Sequence, residues 1–170
     1  GLILGERGLW EEALERLERA REGHADLGDR RGEGIVLANM ATLLSNQGRL
    51  AEAESTYRQA LRAQRAIGEQ RLEGVILRNL GVILLGLGRG REAEDSFHEA
   101  LALHRLHGDR FSEGRVLSDL AEIRLLRGEL AEAEVLYARS LAAAQEVGDQ
   151  RYARIVGGNQ ANLAFVRGDL

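Results

Sequence analysis

Apolar residues recur along this chain at spacings of three and four, in blocks closed by glycines at a fixed interval. Between residues 71 and 87 the apolar set Ile76, Leu77, Leu80, Ile83, Leu84 and Leu87 lies on one face of a helix. After Gly88 a second stripe, Ala93, Phe97, Ala100, Leu101 and Leu103, runs toward Gly108. Gly28, Gly68, Gly108 and Gly148 lie 40 residues apart, and so do Gly8, Gly48, Gly88, Gly128 and Gly168. Self-similarity at one period predicts a stacked array of two-helix units. The pattern predicts helices over 9–25, 31–46, 50–66, 71–86, 90–106, 111–126, 130–146 and 151–167, with a helical stump in 1–7 ahead of Gly8. The glycines stand where left-handed C-caps belong. Asp29, Asp109 and Asp149 are placed to cap the next helix, with Glu69 substituting in the unit that lacks Asp.

One array over residues 1–170 follows, with full units at 28–67, 68–107 and 108–147 and partial units at 1–27 and 148–170. Starting and stopping in mid-unit, the chain is expected to be a fragment of a longer protein. Three small-residue series mark the expected helix crossings: Ala41/Gly81/Ala121/Ala161, Ala13/Ala53/Ala93/Ala133 and Ala20/Ala60/Ala100/Ser140. A small side chain lets two backbones approach, and Tyr57, Phe97, Tyr137 and Leu17 are the expected gap-fillers.

Leu77, Leu80, Gly81, Leu84, Gly88, Ala93, Phe97, Ala100 and Leu101 resemble the tetratricopeptide (TPR) pattern, with its small positions and its aromatic in the second helix. The usual unit has 34 residues, and the 40-residue variant is similar to repeats of kinesin light chain, of the Partner-of-Inscuteable family and of bacterial regulatory ATPases. HEAT and armadillo repeats have comparable periods but lack the Gly-x-x-x-Glu-Ala turn at 48–53, 88–93 and 128–133. The resemblance implies an all-α, right-handed superhelical solenoid of antiparallel helix pairs. It also implies a non-enzymatic scaffold whose first helices line a concave groove for a peptide or protein segment.

Rotating about 100° per residue away from the core stripe gives the outward face of each first helix. It holds Ile35, Ala38, Asn39, Thr42, Ser45 and Asn46, then Val75, Arg78, Asn79, Val82, Leu85 and Gly86. The later units supply Arg115, Ser118, Asp119, Glu122, Leu125 and Leu126, then Ile155, Gly158, Asn159, Asn162, Phe165 and Val166. Asn39, Asn79 and Asn159 recur there with no evident packing duty, and an amide both donates and accepts. Resemblance to kinesin-light-chain repeats implies that they hold the backbone of an extended peptide; alternatively they bond neighbouring helices. Asp119 can only accept, so the ladder breaks there. Val82, Leu85 and Leu125 are candidate side-chain pockets, while Phe165 and Val166 are expected to be covered by helix packing or a following helix. Arg78 and Arg115 can meet acidic groups of a ligand and Glu122 a basic one.

Composition narrows the rest. A net charge of −4 with interspersed signs argues against nucleic-acid and acidic-membrane surfaces. All 23 basic residues are Arg, which fits coding bias in a GC-rich bacterial genome. Absence of cysteine suits a cytoplasmic setting, and no apolar run approaches the roughly 20 residues of a membrane span. No cofactor or metal is expected. His104 and His107 can share a helix face beside His98, but no clear carboxylate joins them; His24 is expected to be solvated; Gly86-Leu87-Gly88 and Gly157-Gly158 lack the strand and Lys of a phosphate loop. Trp10 takes a core slot equivalent to Leu50 and Leu130. Two alternatives to peptide capture remain. One is an intramolecular arm of a larger signalling ATPase or transcriptional regulator. The other is end-to-end self-association through apolar ends, Leu2, Ile3 and Leu4 against Leu163, Phe165 and Val166.

Overall fold

The computed structural model describes the backbone of residues 2–168 and the side chains of residues 9–168. Among these, eight helices follow one another with no strand: α1 (Leu2–Asp26), α2 (Arg30–Asn46), α3 (Leu50–Ile67), α4 (Gln70–Gly86), α5 (Gly90–Leu106), α6 (Arg110–Leu126), α7 (Leu130–Glu146) and α8 (Gln150–Arg167). The apolar side chains of Leu2, Ile3 and Leu4 fall outside the described residues.

The turns explain why the helices stop where they do. At Gly48 the backbone is left-handed, φ +74°, a conformation that costs glycine nothing and any other residue a Cβ clash. That twist lets the Gly48 N–H reach the Ser45 carbonyl at 2.9 Å and the Arg49 N–H reach back to the Leu44 carbonyl at 3.0 Å. Two orphan carbonyls of α2 are thereby satisfied within the turn. The same double closure recurs at Gly28, Gly68, Gly88, Gly108, Gly128 and Gly148.

Local chemistry departs from expectation at three positions. Gly8 makes no turn, and α1 runs through it unbroken. A glycine inside a helix costs about 1 kcal/mol, so it permits a break without imposing one. Glu69 makes no capping bond, whereas Asp29, Asp109 and Asp149 accept from the backbone N–H groups of Gly32, Ser112 and Tyr152. The extra methylene carries the Glu69 carboxylate past its own helix start, and it meets Arg31 at 3.3 Å instead. Leu87, assigned to the core stripe, is 36% exposed, because it is already the C-cap residue of α4 and has left the helical face.

The helices form two compact units, Gly1–Arg89 and Gly90–Leu170, and the division falls between the helices of the 68–107 repeat. In the first unit α1 packs on α2, α2 on α3 and α3 on α4. Ala41, Ala53 and Ala60 are inaccessible at the α2–α3 crossing, and Tyr57 fills the gap beside them. In the second unit α5 packs on α6, α6 on α7 and α7 on α8. Ala121, Ala133, Tyr137, Val156 and Leu163 form a continuous cluster there, and the buried Ser140 hydroxyl donates to the Gly114 carbonyl at 2.7 Å. Ala20 and Ala161 belong to the small-residue series but are exposed.

Two polar residues are buried at one repeat position. Gln64 is fully inaccessible and donates to the Arg31 carbonyl at 3.2 Å. His104, one period on, is 2% exposed and sets its Nδ1 3.4 Å from Asp109.

Candidate functional site

In the first unit the outward faces of α2 and α4 carry Asn39, Thr42, Asn46, Val75 and Val82 exposed, with Ile35, Ala38, Arg78, Asn79 and Leu85 half-buried. A hydrogen-bond chain ties these faces together. The Thr42 hydroxyl donates its single proton to the Ala38 carbonyl at 2.9 Å, so at the 2.8 Å contact with Tyr57 it is the acceptor and the phenol the donor. The Tyr57 oxygen is also bonded to Asn79. With its own proton committed to Thr42, it accepts from the Asn79 amide NH2. The sequence runs from α4 through the α3 tyrosine to the α2 backbone and fixes the orientation of the Asn79 amide. Burial pushes the Tyr57 hydroxyl's pKa up, and the bonds to Thr42 and Asn79 offset this only in part. The phenol therefore stays a neutral donor well above neutral pH.

Asn39 stands where Leu17, rather than a tyrosine, occupies the preceding unit, and it is exposed. Thus Asn39 and Asn79 share a periodic position in different surroundings.

In the second unit α6 places Arg115, Ser118, Asp119 and Leu125 half-buried, and Glu122 and Leu126 exposed. On α8, Ile155, Gly158, Asn162, Phe165 and Val166 lie toward solvent and Asn159 is half-buried. Phe165 is 71% exposed, against the expectation that packing covers it and Val166. Leu163, assigned with them to an apolar end, is buried in the second core. The Arg115 guanidinium lies 5.6 Å from the Phe111 ring centre and 5.8 Å from that of Tyr152, a distance at which both rings attract it. Leu125 packs against the Ala121–Tyr137–Leu163 cluster. It therefore shapes the floor of this face more than it offers a pocket. Burial raises the Tyr137 hydroxyl pKa, and the carboxylates of Glu122 and Asp119 add to the rise. Where the first unit surrounds its tyrosine with a hydroxyl and an amide, the second surrounds it with acids.

Periodicity missed the aromatic flanks of Arg115, because Phe111 and Tyr152 occupy the first turns of α6 and α8, where the core stripe has not begun. His98 is exposed and His104 buried, so the histidine group divides between surface and interior. Among the described residues no three His, Asp or Glu side chains come together as a metal site. His24 lies 2.9 Å from Asp29 at a turn, and Trp10 is half-buried. No described helix is long and apolar enough to cross a membrane.

A family model described as tetratricopeptide repeat matches residues 1–66 and 72–146. No curated protein sequence matches the chain. Among solved structures, TPR-like repeats assigned to a kinesin light chain of Podosopora anserina superpose with a TM-score of 0.74 at 16% identity, covering 96% of this chain and 82% of that one. A single-substitution variant of those repeats gives 0.67 at 16% identity, covering 97% and 91%. BtubC (BKLC) of P. vanneervenii gives 0.66 at 20% identity, covering all of this chain and 76% of its own. At these identities the likeness is one of fold.

Proposed function

Because the chain belongs to the tetratricopeptide repeat family, whose arrays generally mediate protein–protein interaction, we propose that the outward faces of its first helices hold an extended peptide or protein segment. The fold is typically a non-enzymatic scaffold. The observation that carries the reading is the Asn79–Tyr57–Thr42 chain, which holds an amide in one orientation on a face that also exposes Asn39, Val75 and Val82. An oriented amide pairs with peptide backbone whatever the side chains, and the apolar neighbours add selectivity. In the second unit Asn159 and Asn162 have the same duty, with Arg115 for an acidic residue and Glu122 for a basic one. The reading includes a cytoplasmic, bacterial setting, as the cysteine-free, lysine-free composition suggests.

Peptides selected on the 170-residue chain test this. Asn39→Ala/Asn79→Ala should weaken a selected peptide about tenfold, the worth of one or two hydrogen bonds, and unchanged affinity sinks the ladder. A second reading, self-association, is favoured by the exposed Ile155, Phe165 and Val166 of α8. It requires a mass by light scattering that rises with concentration and falls back in Phe165→Ser.

A further inference from the structure

The repeats act as internal controls for one another, and the third full repeat departs from its siblings at three positions that come together. Leu44 of the first repeat and Leu84 of the second are followed, one period on, by Arg124. Ser55 and Asp95 are succeeded by Val135, and Thr56 and Ser96 by Leu136. These three positions span thirteen residues of sequence, yet they line a single groove of about 430 Å³ between α5 and α7, over α6. It is lined by the apolar Leu120, Ala131, Val135 and Leu136 together with His98, Arg124 and Glu132.

Packing accounts for neither Val135 nor Arg124. Val135 is 58% exposed at a position where its siblings are polar, and a β-branched residue has no helix-propensity advantage there. Leu44 and Leu84 are buried, so a guanidinium in that slot must be compensated by charge. Arg124 Nη1 lies 2.6 Å from Glu94, while its Nε is 2.9 Å from Glu132 and 3.3 Å from Glu129. Arg127 takes the other Glu94 oxygen at 2.6 Å. Three carboxylates thus face two guanidinium groups and the His98 imidazole, which lies 3.8 Å from Glu94, while Glu129 and Glu132 share a single Arg124 N–H. With histidine counted as neutral at pH 7, one negative charge is left over beside the apolar trough.

We propose that this groove docks a partner-protein segment that places a branched aliphatic side chain against Val135, Leu136 and Leu120 and a lysine or arginine against Glu129 and Glu132. The trough accepts the aliphatic group by burying apolar surface, and the surplus charge selects a cation over an anion beside it. A groove of this volume is of the size that holds a few side chains. The site is separate from the outward faces of α6 and α8, so it does not depend on how those faces are used.

The test uses two capped, alanine-based helical peptides, one with leucine and lysine four residues apart, the other with leucine and glutamate. They are titrated into the 170-residue chain while the methyl NMR signals of Leu120, Val135 and Leu136 are followed. The lysine peptide should shift those methyls, leave Met40 and Leu44 unmoved, and bind at least about tenfold more tightly than the glutamate peptide. Val135→Ser, restoring the sibling residue at an exposed position, should abolish the shifts with an unchanged melting temperature. Arg124→Leu should keep binding but make the lysine preference stronger, since it removes the compensating cation. Failure of the lysine peptide to shift these methyls, equal binding of both peptides, or unaltered binding to Val135→Ser overturns the proposal. Shifts that grow with protein concentration and no peptide overturn it too, by assigning the groove to a second copy.

Discussion

Replacing Gly34 by alanine should destabilise the protein, although the substitution improves helix propensity. A Cβ built at Gly34 lies 1.8 Å from Gln64 Nε2, 2.8 Å from its Cδ and 3.3 Å from its Cγ. Ordinary contact begins at 3.4 Å, so the amide nitrogen must retreat by about 1.6 Å. Gln64 is fully buried, and its nitrogen is bonded to the Arg31 carbonyl at 3.2 Å. Retreat breaks that bond and strands the buried Gln64 donor, at about 1–3 kcal/mol, and overpacking adds about 1–3 kcal/mol. Alanine returns about 1 kcal/mol through propensity. The net loss is about 1–5 kcal/mol, and a loss of about 2 kcal/mol in a chain of this length lowers Tm by roughly 4–8 °C. Thermal melting by circular dichroism reads the total. Amide hydrogen exchange should place the loss in α2 and α3. Gln64→Ala in the same background removes the obstacle, so the double mutant should show a favourable coupling of about 1–3 kcal/mol. Gly157→Ala is the control, since a Cβ there meets nothing within 4 Å, and it should gain up to about 1 kcal/mol. A Gly34→Ala protein that melts at or above wild type refutes the assigned packing of Gln64 on α2.

Glu69→Asp should add about 0.5–1 kcal/mol by restoring the cap that its three siblings make, read as a higher Tm; the exposed pairing with Arg31 that it gives up is worth little. Tyr57 and Tyr137 have hydroxyl pKa values raised by burial. Their contribution is therefore complete below the unfolded tyrosine value near about 10 and is lost as pH climbs through the higher folded values. Denaturant midpoints should fall above about pH 10, and Tyr57→Phe should flatten that alkaline decline while costing about 1 kcal/mol at neutral pH through the lost bonds to Thr42 and Asn79.

The eight helices were legible because two signals agree: apolar spacing and a glycine at each end. Where only one signal was present, the sequence misled. Gly8 had the period without a reversal of the chain, and Leu87 had the apolar spacing but lay past the helix end. Glu69 had the charge of a cap with a side chain one methylene too long. The buried Gln64 and His104 were hidden by their polarity, although their shared period position was visible. For the candidate faces, a rotation of about 100° per residue is enough to say which side chains point outward. It cannot say that Asn79 is tied to Tyr57 or that Arg115 lies between Phe111 and Tyr152. Those facts belong to pairs of helices, and the angle between two helices is set by many side chains together.

Every one of the seven described turns between helices is closed by a glycine and two backbone bonds, and four of them do without the side-chain cap that Asp29, Asp109 and Asp149 add to the others. Heredity can exploit such a joint. A duplicated unit carries its own hinge with it, needing no matching change in the parent copy, so the new copy is held in place before selection has acted on it. Mutations can then accumulate in one copy, as at Arg124, Val135 and Leu136, while the glycine-centred joints continue to fix where each helix begins.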